Sequence, residues 1–349
     1  MALFSARIVQ WQKQHGRHNL PWQGADAYRV WLSEIMLQQT QVVTVIPYYQ
    51  RFVESFPTIV ALAAATTDEV LSHWSGLGYY ARGRNLHKTA KIVVEQYRGD
   101  FPRQFEQILE LPGIGRSTAA AICALAYHER RSILDGNVKR VLARYLGISG
   151  VTSNPTVETL MWLQADALLP QQDVAIYIQA QMDLGATICT RSKPKCGVCP
   201  VQSDCVAFLS NRVAELPTPK VRKSVPEKNT TLLLLTHGND IFLEKREPQG
   251  IWGGMWCPPQ IDDSFGVADD YVQHNGIAVS ERIEMEEFTH TFTHFKLHIT
   301  PVLLRLNAKP ARVQQTGSEW LDVDTALKSA IPAPVRKLLL LLKPLTKAG

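Results

Sequence analysis

Leu111-Pro112-Gly113-Ile114-Gly115 joins one stretch of helical pattern to the next, which starts near Arg116 and Ser117. The two glycines let a backbone pass close to a ligand. The N–H groups of such a turn, and those at the start of the helix behind it, point at an anion. A hairpin of this kind grips one strand of DNA by its phosphates and reads no base. A glycine-rich turn between two packed helices would use the same residues, and on this stretch alone both readings stand.

Outward from the turn the pattern stays helical. Apolar residues recur at three- and four-residue steps over 28–39, 42–56, 81–97, 117–127, 138–147 and 157–169. Phe56-Pro57-Thr58, Gly76-Leu77-Gly78 and Asp135-Gly136-Asn137 punctuate it. Residues 216–228 then carry Pro217, Pro219 and Pro226 with Lys220, Arg222, Lys223 and Lys228. Proline density with charge of one sign marks an extended linker, placed at 213–228, whose first reading is a tether and whose second is a phosphate contact. Past it, strands are expected over 230–236, 241–245, 283–288 and 296–304, with helices over 267–274 and 334–342. The fold class is therefore multidomain: an all-α part followed by an α+β domain.

Bulk properties set limits. A chain of 349 residues suits two domains, and its net charge of +5 permits a nucleic-acid partner without requiring one. No apolar run approaches the roughly 20 residues that span a bilayer. The longest leucine run, residues 338–342, is flanked by Arg336, Lys337 and Lys343. Residues 1–10 lack the basic start and long apolar stretch of a signal peptide, so a cytoplasmic protein without membrane attachment is expected. In that reducing compartment clustered cysteines point to metal before disulfides.

Four of the six cysteines are clustered: Cys189, Cys196, Cys199 and Cys205. Four thiolates hold either a structural zinc or a four-iron–four-sulfur cluster. A zinc ribbon shows two close pairs, and only Cys196 and Cys199 form one here. The spacing leans toward the cluster and leaves zinc open. Cys123 and Cys257 stand apart and read as buried apolar residues. Arg191, Lys193 and Lys195 fall in the first loop of the cysteine cluster, where they either face phosphates or stay solvated.

Two carboxylates draw notice. Glu34 lies in Trp31-Leu32-Ser33-Glu34-Ile35-Met36-Leu37, and an apolar setting keeps a carboxyl protonated near neutral pH. A protonated Glu is a general acid. Asp135 precedes a helix, where capping is its plainest use; Asn137 could cap instead and free it. Breaking an N-glycosidic bond needs one proton donor for the leaving base and one anion for the sugar cation.

Together, residues 31–41, the turn at 111–115, the run 134–140 and the four cysteines resemble the helix–hairpin–helix DNA glycosylases that carry an iron–sulfur cluster. Within that superfamily the chain is similar to the MutY adenine glycosylases, over about residues 4–345. The resemblance implies one 4Fe-4S cluster on the four cysteines. It implies a cluster lobe from residues 1–25 and 132–212, and a six-helix barrel over 26–131 with the active site between them. The substrate implied is double-stranded DNA with adenine opposite 8-oxoguanine or guanine, bound by a monomer that flips the adenine out.

By the same resemblance, Glu34 is the acid, Asp135 stabilises the sugar cation and Asn137 supports it. Gln39 and Tyr79 push into the base stack, and Trp22 and Gln179 belong to the adenine pocket. Leu111, Gly113 and Gly115, with Lys139 and Arg191, contact the DNA backbone. Strand-nicking relatives have a lysine where Ser117 stands, so release without efficient nicking is implied. Residues 229–349 resemble the Nudix-like domain with which the family recognises 8-oxoguanine. After Gly253-Gly254 there is no Arg-Glu-x-x-Glu-Glu metal box, so binding is expected there and nucleotide hydrolysis is not. Phe292, Thr293 and His294 match the recognition loop; many relatives have serine in place of Thr293. A cluster-bearing glycosylase for pyrimidine lesions and a lesion sensor without catalysis are the rivals.

Overall fold

Side-chain caps decide where several helices begin. Asp26 accepts from Arg29 N at 2.9 Å, Asp135 from Val138 N at 2.7 Å and Asn154 from Thr156 N at 3.0 Å, with Pro155 opening the helix behind it. Thr66 and Glu69 form a reciprocal capping box. The computed structural model describes residues 2–220, 224–261, 268–310 and 317–346. Arg222 and Lys223 of the linker stretch, Val267, and the Asp262-Asp263 pair after the glycines lie outside them.

The described chain runs α1 (Ala2–His15), α2 (Ala27–Leu37), α3 (Val42–Ser55), α4 (Ile59–Ala64), α5 (Thr67–Trp74), α6 (Ala81–Tyr97), α7 (Phe105–Leu109), α8 (Arg116–Ala126), α9 (Gly136–Tyr145), α10 (Pro155–Leu168), α11 (Val174–Asp183) and α12 (Val206–Leu209). The second part has β1 (Glu227–His237), β2 (Asp240–Lys245), β3 (Trp256–Cys257), β4 (Gln260–Ile261), α13 (Ala268–His274), β5 (Val279–Glu284), β6 (Phe288–Thr291), β7 (Lys296–Leu306), β8 (Ser318–Asp322), α14 (Val323–Ala326) and α15 (Ala333–Thr346). None of the described helices is long and apolar enough to cross a membrane.

Two units result: residues 1–63 with 88–222, and residues 64–87 with 223–349. The first is helical. Phe4 and Ile8 of α1, Ala120 and Ala124 of α8, Val138 and Leu142 of α9, Met161 of α10 and Tyr177 of α11 share one buried core. That core fixes the start of α9, and so Asp135. Helix α2 is buried on most of its circumference, from Tyr28 to Met36, which leaves Glu34 among apolar neighbours.

In the second unit the sheet order is β3-β2-β1-β7-β5, with β4 on β1, β6 on β7 and β8 on β2. The pairing of β1 with β7 is parallel and the others are antiparallel. Residues 64–87 complete this unit. Leu71 is buried with Leu232, Leu243, Trp252 and Val335, Ser75 Oγ donates to Ile331 O at 2.7 Å, and Lys245 pairs with Asp68.

Two expectations change. The 283–288 strand is two strands, β5 and β6, on one partner; Pro301 of β7, which has no N–H for the ladder, lies opposite the break. The tether is shorter than 213–228. Arg144 Nε donates to Val213 O and Leu216 O, Gly150 N donates to Thr218 Oγ1, and Leu216 is buried, because an apolar side chain gains more from the core than from water. At its other end, β1 already begins at Glu227.

Candidate active site and cysteine cluster

A cavity of about 1160 Å³ in the first unit is lined by Glu34, Gln39, Ser117, Asp135, Asn137 and Arg191, together with Arg17, Arg140 and Gly185. Six residues singled out from the sequence therefore meet on one surface. Burial, and then the negative charge of Asp135, push the Glu34 carboxyl from 4.5 up to about 8. Burial also raises Asp135, but the Val138 and Asn137 N–H groups and the Arg140 charge pull it back. Burial opposes the charged form of both carboxyls, but only Asp135 has donors and a cation that offset part of that cost.

Asp135 is held in a chain of donors. Asn137 Nδ2 reaches Asp135 Oδ2 at 3.5 Å, a long contact. Arg140 donates to Asn137 Oδ1 at 2.8 Å, to Gly185 O at 2.7 Å and, through Nε, to Cys189 O at 2.7 Å. A Cβ added to Gly185 would stand 2.6 Å from Asn137 Cβ, so this approach needs glycine. Gly185 lies in a five-residue π-helix, Leu184–Ile188, that delivers the chain to Cys189.

Ser117 acts locally. Its Oγ accepts from Leu134 N at 3.0 Å, tying α8 to the residue before Asp135. The hairpin turn has Gly113 at φ 80° and Gly115 as the N-cap of α8, with open space around the Gly115 Cα. Leu111 is buried, so its side chain packs inward and only its backbone faces the turn. Lys139 is paired with Glu158 at 2.7 Å.

Trp22 and Gln179 fall outside the residues lining the cavity. Trp22 is buried edge-on against Tyr49, and Gln179 Nε2 donates to Asp183 Oδ1 at 2.8 Å. Asp183, whose side chain is fully buried, also holds Arg17 at 2.6 Å. Gln179 is thus one step from the cavity, behind Arg17. Sequence reading missed Arg17, Arg140 and Gly185; the signal for Arg140 was its place one helical turn after Asn137.

Gln39 and Tyr79 both have positive φ, 59° and 50°, a left-handed backbone uncommon for residues with a Cβ. In the second unit, Phe292 to Phe295 form the turn between β6 and β7, closed by Phe292 N to Phe295 O at 2.9 Å. Phe292 stacks on Phe295 at 4.4 Å, Thr293 and His294 are exposed, and Tyr79 Oη meets Thr293 Oγ1 at 3.1 Å.

Cys189, Cys196, Cys199 and Cys205 line one small cavity of about 30 Å³ with Arg144, Ile188, Pro194 and Phe208. All six cysteines are free thiols. Arg144 Nη1 donates to Cys189 Sγ at 3.4 Å and to Thr190 O at 2.7 Å, and Nη2 donates to Arg191 O at 3.1 Å. Four sulfurs in an otherwise apolar pocket, with a cation beside one of them, fit an anionic thiolate-bound iron–sulfur cluster.

Comparison with known proteins agrees. Residues 32–165 match the HhH-GPD superfamily of base excision DNA repair proteins, residues 189–205 the iron–sulfur binding domain of endonuclease III, and residues 230–341 the NUDIX domain. The second match settles the cysteine motif as iron–sulfur binding. A thermostable thymine-DNA glycosylase superposes with a TM-score of 0.54 at 27% identity, over 60% of this chain and 96% of that one. Fold and site thus define a helix–hairpin–helix DNA glycosylase with an iron–sulfur motif and a Nudix-like C-terminal domain.

Full-length relatives narrow this. The adenine DNA glycosylase of Buchnera aphidicola subsp. Acyrthosiphon pisum is 38% identical over 97% of each chain, and that of Mus musculus is 31% identical over 96% of this chain and 76% of its own. The chain belongs to the adenine DNA glycosylase family, hydrolases of the N-glycosyl bond in base excision repair.

Proposed function

We propose that the enzyme removes adenine paired with 8-oxoguanine or guanine in double-stranded DNA, with Glu34 as the acid and Asp135 as the carboxylate that stabilises the sugar cation. The observation that carries this is an unequal pair in one cavity: Glu34 raised to about 8 with no donor among the described residues to offset its burial, and Asp135 raised less freely because donors and Arg140 pull it back. At neutral pH Glu34 keeps a proton to give to a flipped adenine. As the bond to the sugar breaks, positive charge grows there and Asp135 faces it; water then completes hydrolysis and leaves an abasic site. Asn137, fixed by Arg140, orients Asp135. Ser117 forms no Schiff base and keeps its bond to Leu134 N.

Gly113, Gly115 and the backbone at Leu111 take a phosphate at the start of α8. Arg191 adds charge at the cavity rim, and Lys139 reaches a phosphate by leaving Glu158. Gln39 and Tyr79 enter the base stack, Gln179 acts on adenine through Arg17, and Trp22 backs that pocket. Phe292, Thr293 and His294 meet the 8-oxoguanine. Cys189, Cys196, Cys199 and Cys205 would hold one 4Fe-4S cluster, and that coordination would fix the Arg191 loop. Residues 1–25 with 132–212 and residues 26–131 make the glycosylase core, and residues 229–349 read the lesion. The enzyme works as a cytoplasmic monomer.

Single-turnover assays on duplexes with adenine opposite 8-oxoguanine, run beside thymine glycol and uracil duplexes, test this. Adenine release with strand breakage only after alkali is expected. Release of a pyrimidine lesion in place of adenine would overturn it.

A further inference from the structure

Arg82 is a charged residue that the chemistry above does not use, yet it is buried at 8% exposure. Its guanidinium lies over two rings, with Cζ 5.4 Å from the centroid of Trp74 and 5.4 Å from that of Tyr79. Nη2 donates to Gly78 O at 3.1 Å and reaches Leu77 O at 3.4 Å. Trp74 Nε1 donates to the same Gly78 carbonyl at 3.2 Å. In the turn they hold, Gly76, Gly78 and Tyr79 all have positive φ, which is a strain only at Tyr79. Gly83 keeps the floor thin, since a Cβ there would stand 3.1 Å from the Trp74 ring.

The rings differ in exposure. Trp74 is fully buried, whereas Tyr79 is 46% exposed. A buried cation beneath an exposed aromatic is expensive to desolvate, and burial pulls Arg82 down to about 10, which still leaves it charged at neutral pH. A lysine has donors enough but lacks the planar fork, so it would not lie flat over two rings while donating to the carbonyls in its plane.

We propose that Arg82 is the positioning residue for Tyr79: its guanidinium braces the turn and one face of the ring, and so presets Tyr79 to enter the base stack. The Tyr79 hydroxyl is already engaged by Thr293, so the ring is held at both ends before DNA arrives. A preset wedge binds more tightly because it loses less freedom on insertion. The inference rests on the reading of Tyr79 as a stacking residue.

The test compares the full chain with Arg82→Lys, Arg82→Met, Tyr79→Leu and Arg82→Lys/Tyr79→Leu. The probe is a duplex with adenine opposite 8-oxoguanine and 2-aminopurine as the neighbouring base. Thermal melting monitors folding, 2-aminopurine fluorescence reports unstacking, and single-turnover rates across enzyme concentrations separate binding from chemistry. Expected for Arg82→Lys is an apparent Kd weaker by about three- to thirtyfold, a smaller unstacking signal and a lesser effect on the saturating rate. In the Tyr79→Leu background the same change should cost nothing more. A wild-type Kd and unstacking signal in Arg82→Lys would overturn the proposal, as would an equal penalty with and without Tyr79. Wild-type unstacking in Tyr79→Leu alone would instead remove the underlying reading of Tyr79.

Discussion

Glu34 and Asp135 open on the same cavity and burial raises both, but only Asp135 is given donors that offset the cost of its charge. Glu34 sits within α2, where Trp31, Leu32, Ile35 and Met36 are buried and helical N–H groups are already spent. Asp135 sits one residue ahead of α9, where N–H groups are still free, and its partners are Val138 N, Asn137 and, behind them, Arg140. Position along a helix therefore gives one buried carboxyl its donors and denies them to the other, and the Asp135 charge raises Glu34 further.

The largest expected effect comes from removing the proton donor. Glu34→Gln should lower the single-turnover rate by about 10²–10⁴ with DNA binding retained. In the unaltered enzyme the rate should fall as pH rises through about 8, where Glu34 loses its proton. Stability follows the same sign: a carboxyl raised from 4.5 to about 8 favours the fold fully below 4.5, and that contribution is lost as pH rises to 8. Glu34→Gln should therefore become more stable than the parent across that window, by about 1–3 kcal/mol, in denaturant titrations at pH 5 and pH 8. An inactive variant of unchanged stability would break the contrast.

Asp135→Asn should come next, with a loss of about 10²-fold or more in base release. Its thermal midpoint should hardly move, because Asn caps α9 about as well as Asp. Loss of folding would mean that the Asp135 charge serves the fold. A smaller effect is expected from Gly185→Ala, whose Cβ displaces Asn137 without touching either carboxylate. A rate loss of about tenfold with Glu34-dependent pH behaviour kept would sharpen the division between the two sites.

Much of this was legible because the signals are local. The helices over 81–97 and 42–56, the phosphate turn and the cysteine spacing depend on residues near each other in sequence. The convergence of Glu34, Ser117 and Asp135 depends on the packing of α2, α8 and α9, which no spacing encodes. The π-helix at Leu184–Ile188 has no periodic signature, so nothing in the sequence marks Gly185. The parallel pairing of Glu227 with Lys296 and the strand β8 are set by contacts across the sheet. The inward packing of the Leu111 side chain is likewise a matter of the core around the turn and not of the turn's own sequence.

The sheet unit is built from two separate stretches of chain, with Leu71 in its core and Arg84 Nη1 on Gly253 O at 2.7 Å. It is therefore not a cassette that a recombination event can exchange at the linker alone. A chimera joined near residue 224 would seat a foreign sheet on the parent's 64–87 segment, with a mismatched apolar socket and a tyrosine facing an unfamiliar loop. Exchanges that carry residues 64–87 along with the C-terminal domain keep Tyr79 and its Thr293 partner as one heritable piece.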